Sequence, residues 1–418
     1  MCDLCEKYSR SSDTDKELMK ACIEEHLKNK MLSRELKDKE KLRGQNHCQV
    51  NVACFDLQQV LTTPHSMSSQ LYYRRKLATY NLSVFDLVRK AGYCYMWHEG
   101  VAKRGANNVA SCVWKYRTDR VENGHCSEFM FFTDNCGGQN KNKSIAAMYL
   151  HASAIRSLPV ECISHYYLQA GHTQNEGDSM HAVIERASKH VNVYTPMQWY
   201  TLASSAKKNG SPYRVTEMAG HMKDFKILSE LYCKRLREAV SMKSPEWHKM
   251  KALMVQKQSP HILFVKYAHD ETDFIPLINA VPHEQSAETA ASLPVLENES
   301  SVSKAKKDDL QYMCSQLIIP KEYHCFYSSL PLERQHNVPE PITAPAQEGP
   351  STSAECVRYS TRSVSLETHA QPQLRKRRWS IGDKVKARLT GNRTSVHGSS
   401  SSQKAKPSGT SASKRKRL

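Results

Sequence analysis

Residues 13–43 are dense in Lys, Glu, Leu and Met and hold no proline or glycine, which predicts one long charged helix closed by Gly44. The β-branched and aromatic stretch QVNVACFDLQQ (49–59) predicts a strand, and Pro64 breaks the pattern. Residues 67–80, rich in Tyr and Arg, read as a loop or short helix. Three further strands are predicted at 92–97 (GYCYMW), 109–116 (VASCVWKY) and 128–133 (EFMFFT). A helix at 143–158 stops at Pro159, a short strand follows at 162–168 (CISHYYL), and helices are predicted at 178–190 and 196–208. Successive strands followed by helix–strand alternation predict an α/β fold with a mixed sheet flanked by helices.

Beyond residue 280 the periodicity fades. A linker at 281–307 leads to an apolar island at 308–331 (containing LQYMCSQLIIPKEYHCFYSSLP) with enough apolar side chains to dock on the core. Residues 332–418 are rich in Pro, Ser, Thr and basic residues, and we expect a disordered basic tail. Residues 1–44 form an N-terminal CxxC segment plus charged helix, and 45–280 form the main domain.

Composition sharpens this division. The 418 residues are 39% hydrophobic with a mean hydropathy of −0.63, polar for a wholly folded chain of that length. Net charge is +18, and residues 371–418 alone carry 14 Lys+Arg against the single acid Asp383. The main domain is therefore only mildly basic. No apolar run of about 18 residues exists, so no membrane span is expected, and no secretory leader is recognisable at the N-terminus. The 14 cysteines read as reduced thiols with a few candidate metal ligands. Basic clusters Arg375 to Arg378 and Lys414 to Arg417 point to the nucleus.

The chemistry centres on FMFFTDNCGGQNKNKS (129–144), where an apolar strand runs into Asp134. A carboxylate there is costly unless paired. Asp56, in VACFDLQQ, has the same setting. Downstream, Asp178, His181 and Glu185 share one face of a helix. Acids from two strands and a helix make a hard-oxygen site for Mg²⁺ or Mn²⁺, and two such ions about 3.5–4 Å apart serve an in-line phosphodiester reaction. The simpler alternatives are that Asp134 caps the following helix, Asp56 is a satisfied strand-end residue, Asp178 caps its own helix and Glu185 is a solvated charge. The glycine pair Gly137 and Gly138 does not open a Walker A loop, because Asn142 precedes Lys143 and Ser144, and no small-molecule cofactor signature is evident. Asn140, Lys141 and Lys143, together with Tyr72, Arg74 and Arg75, are candidate nucleic-acid contacts. Cys2, Cys5, Cys22 and His26 form a candidate zinc set, with Cys22 and His26 one turn apart on the long helix. His172 and His181 are candidate outer partners of the acidic site.

Several blocks, among them CDLCEKY, ACFDLQQVLTTP, YCYMWHEGVAKRGANNVASC, TDNCGGQNKNK and GHTQNEGDSMHAVIER, resemble an uncharacterised domain family found in transposon-like reading frames of animal genomes. The resemblance spans roughly residues 1–331, and the family resembles DDE-type transposases. It implies an RNase H-like fold with catalytic acids at Asp56, Asp134 and either Asp178 or Glu185; the preceding Gly-His-Thr turn favours Asp178. It also implies DNA as partner and metal-dependent strand cleavage or transfer as activity. The alternatives are a catalytically silent, domesticated or decayed transposase that binds nucleic acid in the nucleus, and a zinc-stapled interaction scaffold. A homo-oligomer is a further expected partner arrangement.

Overall fold

In the computed structural model, a central strand β1 (Val50–Leu57) is flanked by an antiparallel neighbour, β3 (Leu77–Asp86), and a parallel one, β5 (Glu128–Thr133). The described residues are 2–124, 126–155, 157–173, 175–279, 293 and 300–333. The basic tail and most of the linker expected above lie outside them.

On one side β3 pairs antiparallel with β4 (Ala91–His98), which pairs parallel with β7 (Arg214–Glu217); the short β2 (Leu61–Thr63) joins β3. On the other side β5 pairs parallel with β6 (Cys162–Tyr167). Strands β9 (Ala252–Gln256), β10 (Ser259–Lys266), β11 (Ile275–Asn279) and β8 (Leu236–Glu238) then extend the same sheet, all antiparallel. The result is a mixed sheet of 11 strands flanked by helices, the α/β architecture expected.

Side chains alternate between faces along a strand, so each face of β1 has its own core. Ala53, Phe55 and Leu57 join Phe129 and Phe131 under α3 (Ala106–Gly124), α4 (Lys143–Ala154) and α7 (Phe225–Tyr232). Val50, Val52 and Cys54 join Met130, Phe132 and Leu36 of α2 (Asp13–Asn46), which follows the short α1 (Asp3–Arg10). The second face is completed by α5 (Glu176–Ser188) and α6 (Pro196–Ser205), through Met180, Ile184, Trp199 and Tyr200.

Several expectations need correction. Residues 109–116 are helical: Val109, Cys112, Val113 and Tyr116 are buried at the three-and-four spacing of a helix face. Gly44 does not close α2, which runs on to Asn46; a Cβ at Gly44 would sit 2.6 Å from Val88 Cγ2, so the glycine lets the helix approach the sheet. Residues 77–80, read as loop, begin β3. The island does dock: Val302, Leu310, Met313, Ile319 and Tyr327 pack with Leu71 and Leu77.

Candidate metal centre and its surroundings

Asp56 occupies the second-last position of β1, on the same face as Val52 and Cys54. Extending the parallel pairing Cys54↔Phe132 by two residues sets Asp134 opposite it, on the same face. Two carboxylates thus leave neighbouring strand ends in one direction, towards α5.

Helix α5 is delivered by a capping box. Asn175 Oδ1 accepts from the Gly177 N–H (2.6 Å), and Asp178 Oδ2 accepts from the Asn175 N–H (2.8 Å). Gly177, Met180, His181, Ile184 and Ser188 form the buried stripe of the helix. Gly177 allows the first turn to meet β1, since a Cβ there would lie 3.2 Å from Asp56 Cβ. Ligand atoms of Asp56, Asp178 and His181 all fall within 4.8 Å of one another, with His181 Nδ1 4.0 Å from Asp56 Oδ2. Asp134 stands just outside this trio, held through Oδ1 by the Cys136 N–H (3.1 Å) and by the Asn140 side-chain amide.

The electrostatics follow from this crowding. Burial, then the charges of Asp134 and Asp178, push the Asp56 carboxyl up from 3.8 to about 7. Exposed Arg104 opposes the shift. Burial takes His181 down to about 4, so at neutral pH its contact with Asp56 is not an ion pair, and its Nε2 is buried with no hydrogen-bond partner among the described residues. A buried Asp56 carboxyl whose ionisation is disfavoured beside two further carboxylates fits a divalent cation, which would compensate the shared charge.

The expected residues fall into three groups. Asp56, Asp134, Asp178 and His181 come together, His181 inside the cluster rather than behind it. Glu185, two turns further along α5, is exposed and accepts instead from Gln58 Nε2 (3.3 Å), so Asp178 rather than Glu185 is the helix acid that lies with Asp56 and His181. Asp134 does not cap α4; Asn142 does, accepting from the Ile145 N–H.

The candidate nucleic-acid contacts are redistributed. Asn140 is fully buried, and Lys141 is buried with Nζ on Asn135 Oδ1 (3.2 Å) and His248 O (2.8 Å), so both hold the loop after β5 rather than face a polymer. Lys143 is exposed. Arg74 and Arg75 pair with Asp309 (3.2 and 2.9 Å), and Arg74 stacks on Tyr312, so they clasp the docked segment while Tyr72 stays exposed.

His172 is no partner of the acids. It lies with Cys2, Cys5 and His26, and Cys22 is exposed and outside that group. The residues not anticipated are Gly177, Asn140 as a support for Asp134, and a cationic line on α2. Arg34, Lys37 and Lys41 border a hollow shared with Asp38, His172 and Glu176, Lys37 Nζ pairs with Glu176 Oε2 (2.6 Å), and Lys37 also lines the hollow beside Asp178. The Lys-rich periodicity of α2 was visible; that Lys37 reaches Glu176 and the hollow beside Asp178 needed the fold.

Residues 70–269 match the model of a domain of unknown function (DUF7869). The matched span contains Asp134, Asp178 and His172, and starts after Asp56. No curated protein and no solved structure matches the chain. No helix among the described residues is long and apolar enough to cross a membrane.

Proposed function

We propose that the chain is a DDE-type, RNase H-like phosphodiester enzyme of transposon origin that acts on DNA in the nucleus. The observation that carries this reading is the convergence of Asp56, Asp134 and Asp178 from two parallel strand ends and a helix on one face of a mixed sheet. It is supported by the order of the parts: first acid in the first strand, second after the fourth long strand, third on a later helix.

Asp56, Asp134 and Asp178 would hold Mg²⁺ or Mn²⁺, and a divalent ion there supplies charge stabilisation and an activated hydroxyl for an in-line reaction at phosphorus. The protein's own side chains prepare the cleft. Asn140 and the Cys136 N–H aim Asp134, the Asn175 cap aims Asp178, and neutral His181 limits the positive charge that would compete with a cation. Lys37 lines the hollow beside Asp178, and Arg34 and Lys41 line the adjoining one; these cations suit a phosphate backbone, whose binding they would strengthen by counterion release.

The test is metal-dependent nicking of supercoiled DNA by residues 1–333, compared with Asp134→Asn. The proposal expects nicking with Mg²⁺ or Mn²⁺ that disappears in the variant. Metal binding lost in the variant without any nicking would leave a domesticated, nucleic-acid-binding descendant. Absence of both would remove the enzyme reading.

A further inference from the structure

The second chemical cluster lies away from the acids, where the N-terminus meets the loop between β6 and α5. Cys2 and Cys5 bracket the first turn of α1, His26 projects from α2, and His172 comes from the loop. Cys2 Sγ lies 3.3 Å from His26 Nε2, and Cys5 Sγ 3.5 Å from His172 Nε2. One ligand atom from each of the four falls within 4.8 Å of every other.

Two separate thiol–imidazole contacts would not need to share a centre; here one ligand atom from each of the four lies close enough to do so. Bonds of about 2.3 Å to sulfur and about 2.0–2.1 Å to nitrogen make tetrahedron edges of roughly 3.3–3.8 Å, and the two close contacts already fall in that interval. Two features of the surroundings bear on the ligands. Gln169 Nε2 lies 3.0 Å from His26 Nδ1, with Lys251 Nζ 3.3 Å from Gln169 Oε1; zinc on His26 Nε2 requires this amide turned over, so that Oε1 accepts from the Nδ1–H as the carbonyl partner of a ligating histidine does. The Cys5 N–H points at Cys2 Sγ (3.5 Å), an interaction that favours thiolate. Gly171 makes the approach feasible: its φ is +77°, and a Cβ there would fall 2.3 Å from Cys2 Cβ.

We infer that Cys2, Cys5, His26 and His172 form a structural zinc site that ties α1 and α2 to the loop preceding α5. Two sulfurs and two imidazoles in a closed tetrahedron select zinc over the hard cations suited to the carboxylate cleft. The set differs from the sequence expectation in one ligand, His172 replacing Cys22. The tie lies three residues before Asn175, whose cap presents Asp178.

The experiment uses the untagged full chain, purified in Mg²⁺ buffer without added chelator, with metal content measured by mass spectrometry. One zinc per chain is expected in the wild type and in Cys22→Ser. Loss of zinc is expected in Cys5→Ser and His172→Ala, and retention in His172→Cys, which keeps four ligands. Cobalt reconstitution should give thiolate-to-metal charge-transfer bands that Cys5→Ser weakens. Should Cys5→Ser fail to fold, the His172→Cys and His172→Ala pair decides the matter. A wild type without zinc, full zinc in His172→Ala, or loss in Cys22→Ser equal to that in His172→Ala would each overturn the site. Neither result depends on whether the carboxylate cleft cleaves DNA.

Discussion

Gly177 of α5 and Asp56 of β1 touch so closely that a single added methyl would come within 3.2 Å of Asp56 Cβ and 2.8 Å of Asn175 Oδ1. The helix that carries the third acid is seated directly on the first. Gly177→Ala should therefore push α5 outward and open the cleft. We expect a stability loss of about 1–3 kcal/mol, as for overpacking elsewhere, and weaker Mn²⁺ binding by calorimetry. Unchanged metal affinity in a folded Gly177→Ala protein would separate the helix seat from the metal site.

Asp56 itself predicts a pH signature. Its folded pKa of about 7 exceeds its ordinary 3.8, so the native state holds a proton that the unfolded chain releases. The contribution of Asp56 to stability is thus greatest below about pH 4 and declines as pH rises to about 7. The buried neutral histidines, His181 among them, act in the opposite sense over an overlapping range, so the comparison must be with a variant. Metal-free Asp56→Asn should be more stable than wild type, by a margin that widens between pH 4 and pH 7. Added Mg²⁺ should narrow the margin, because it binds the ionised native cleft. Urea unfolding of both proteins across that range, with and without Mg²⁺, measures it.

Asn140 is fully buried and donates to Asp134 Oδ1. Replacing it with Ala removes a hydrogen bond to a charged group, at a cost of about 1.5–3 kcal/mol. It should also free Asp134 to rotate. Thermal unfolding should fall and Mn²⁺ affinity weaken, whereas a role for Asn140 in gripping DNA would show as lost DNA binding at unchanged stability.

Asp309 is shared by Arg74 and Arg75 and holds the helix Lys304–Ser315 against the sheet domain. Asp309→Ala should raise amide hydrogen exchange across residues 304–329 while leaving the strands around Asp56 protected. Exchange unchanged in that segment would mean that Val302, Leu310 and Tyr327 suffice to dock it.

The acids were legible because strand parity is rigid: Asp56 and Asp134 each follow an apolar run, and parallel pairing then fixes both on one face. Choosing Asp178 over Glu185 needed the helix origin, which depends on Asn175 and on the close seat of Gly177. The 109–116 segment misled because VASCVWKY satisfies the residue preferences of a strand; the surrounding helix, from Ala106 to Gly124, gives the same side chains a different periodicity. Cys22 was a reasonable ligand by spacing on α2, but His172 lies 146 positions past His26 and reaches it only through the β6–α5 loop. Sequence spacing reveals ligands that share an element and conceals those brought together by topology.

The sheet ends at β7 on one side and β8 on the other, strands of four and three residues. An open sheet this wide would ordinarily present two long rows of unpaired backbone groups, templates for another chain to add a strand. Here the outermost strands are those short ones, and β7 carries the charged pair Arg214 and Glu217 along its length. Growth by strand addition at these outermost strands has little to build upon.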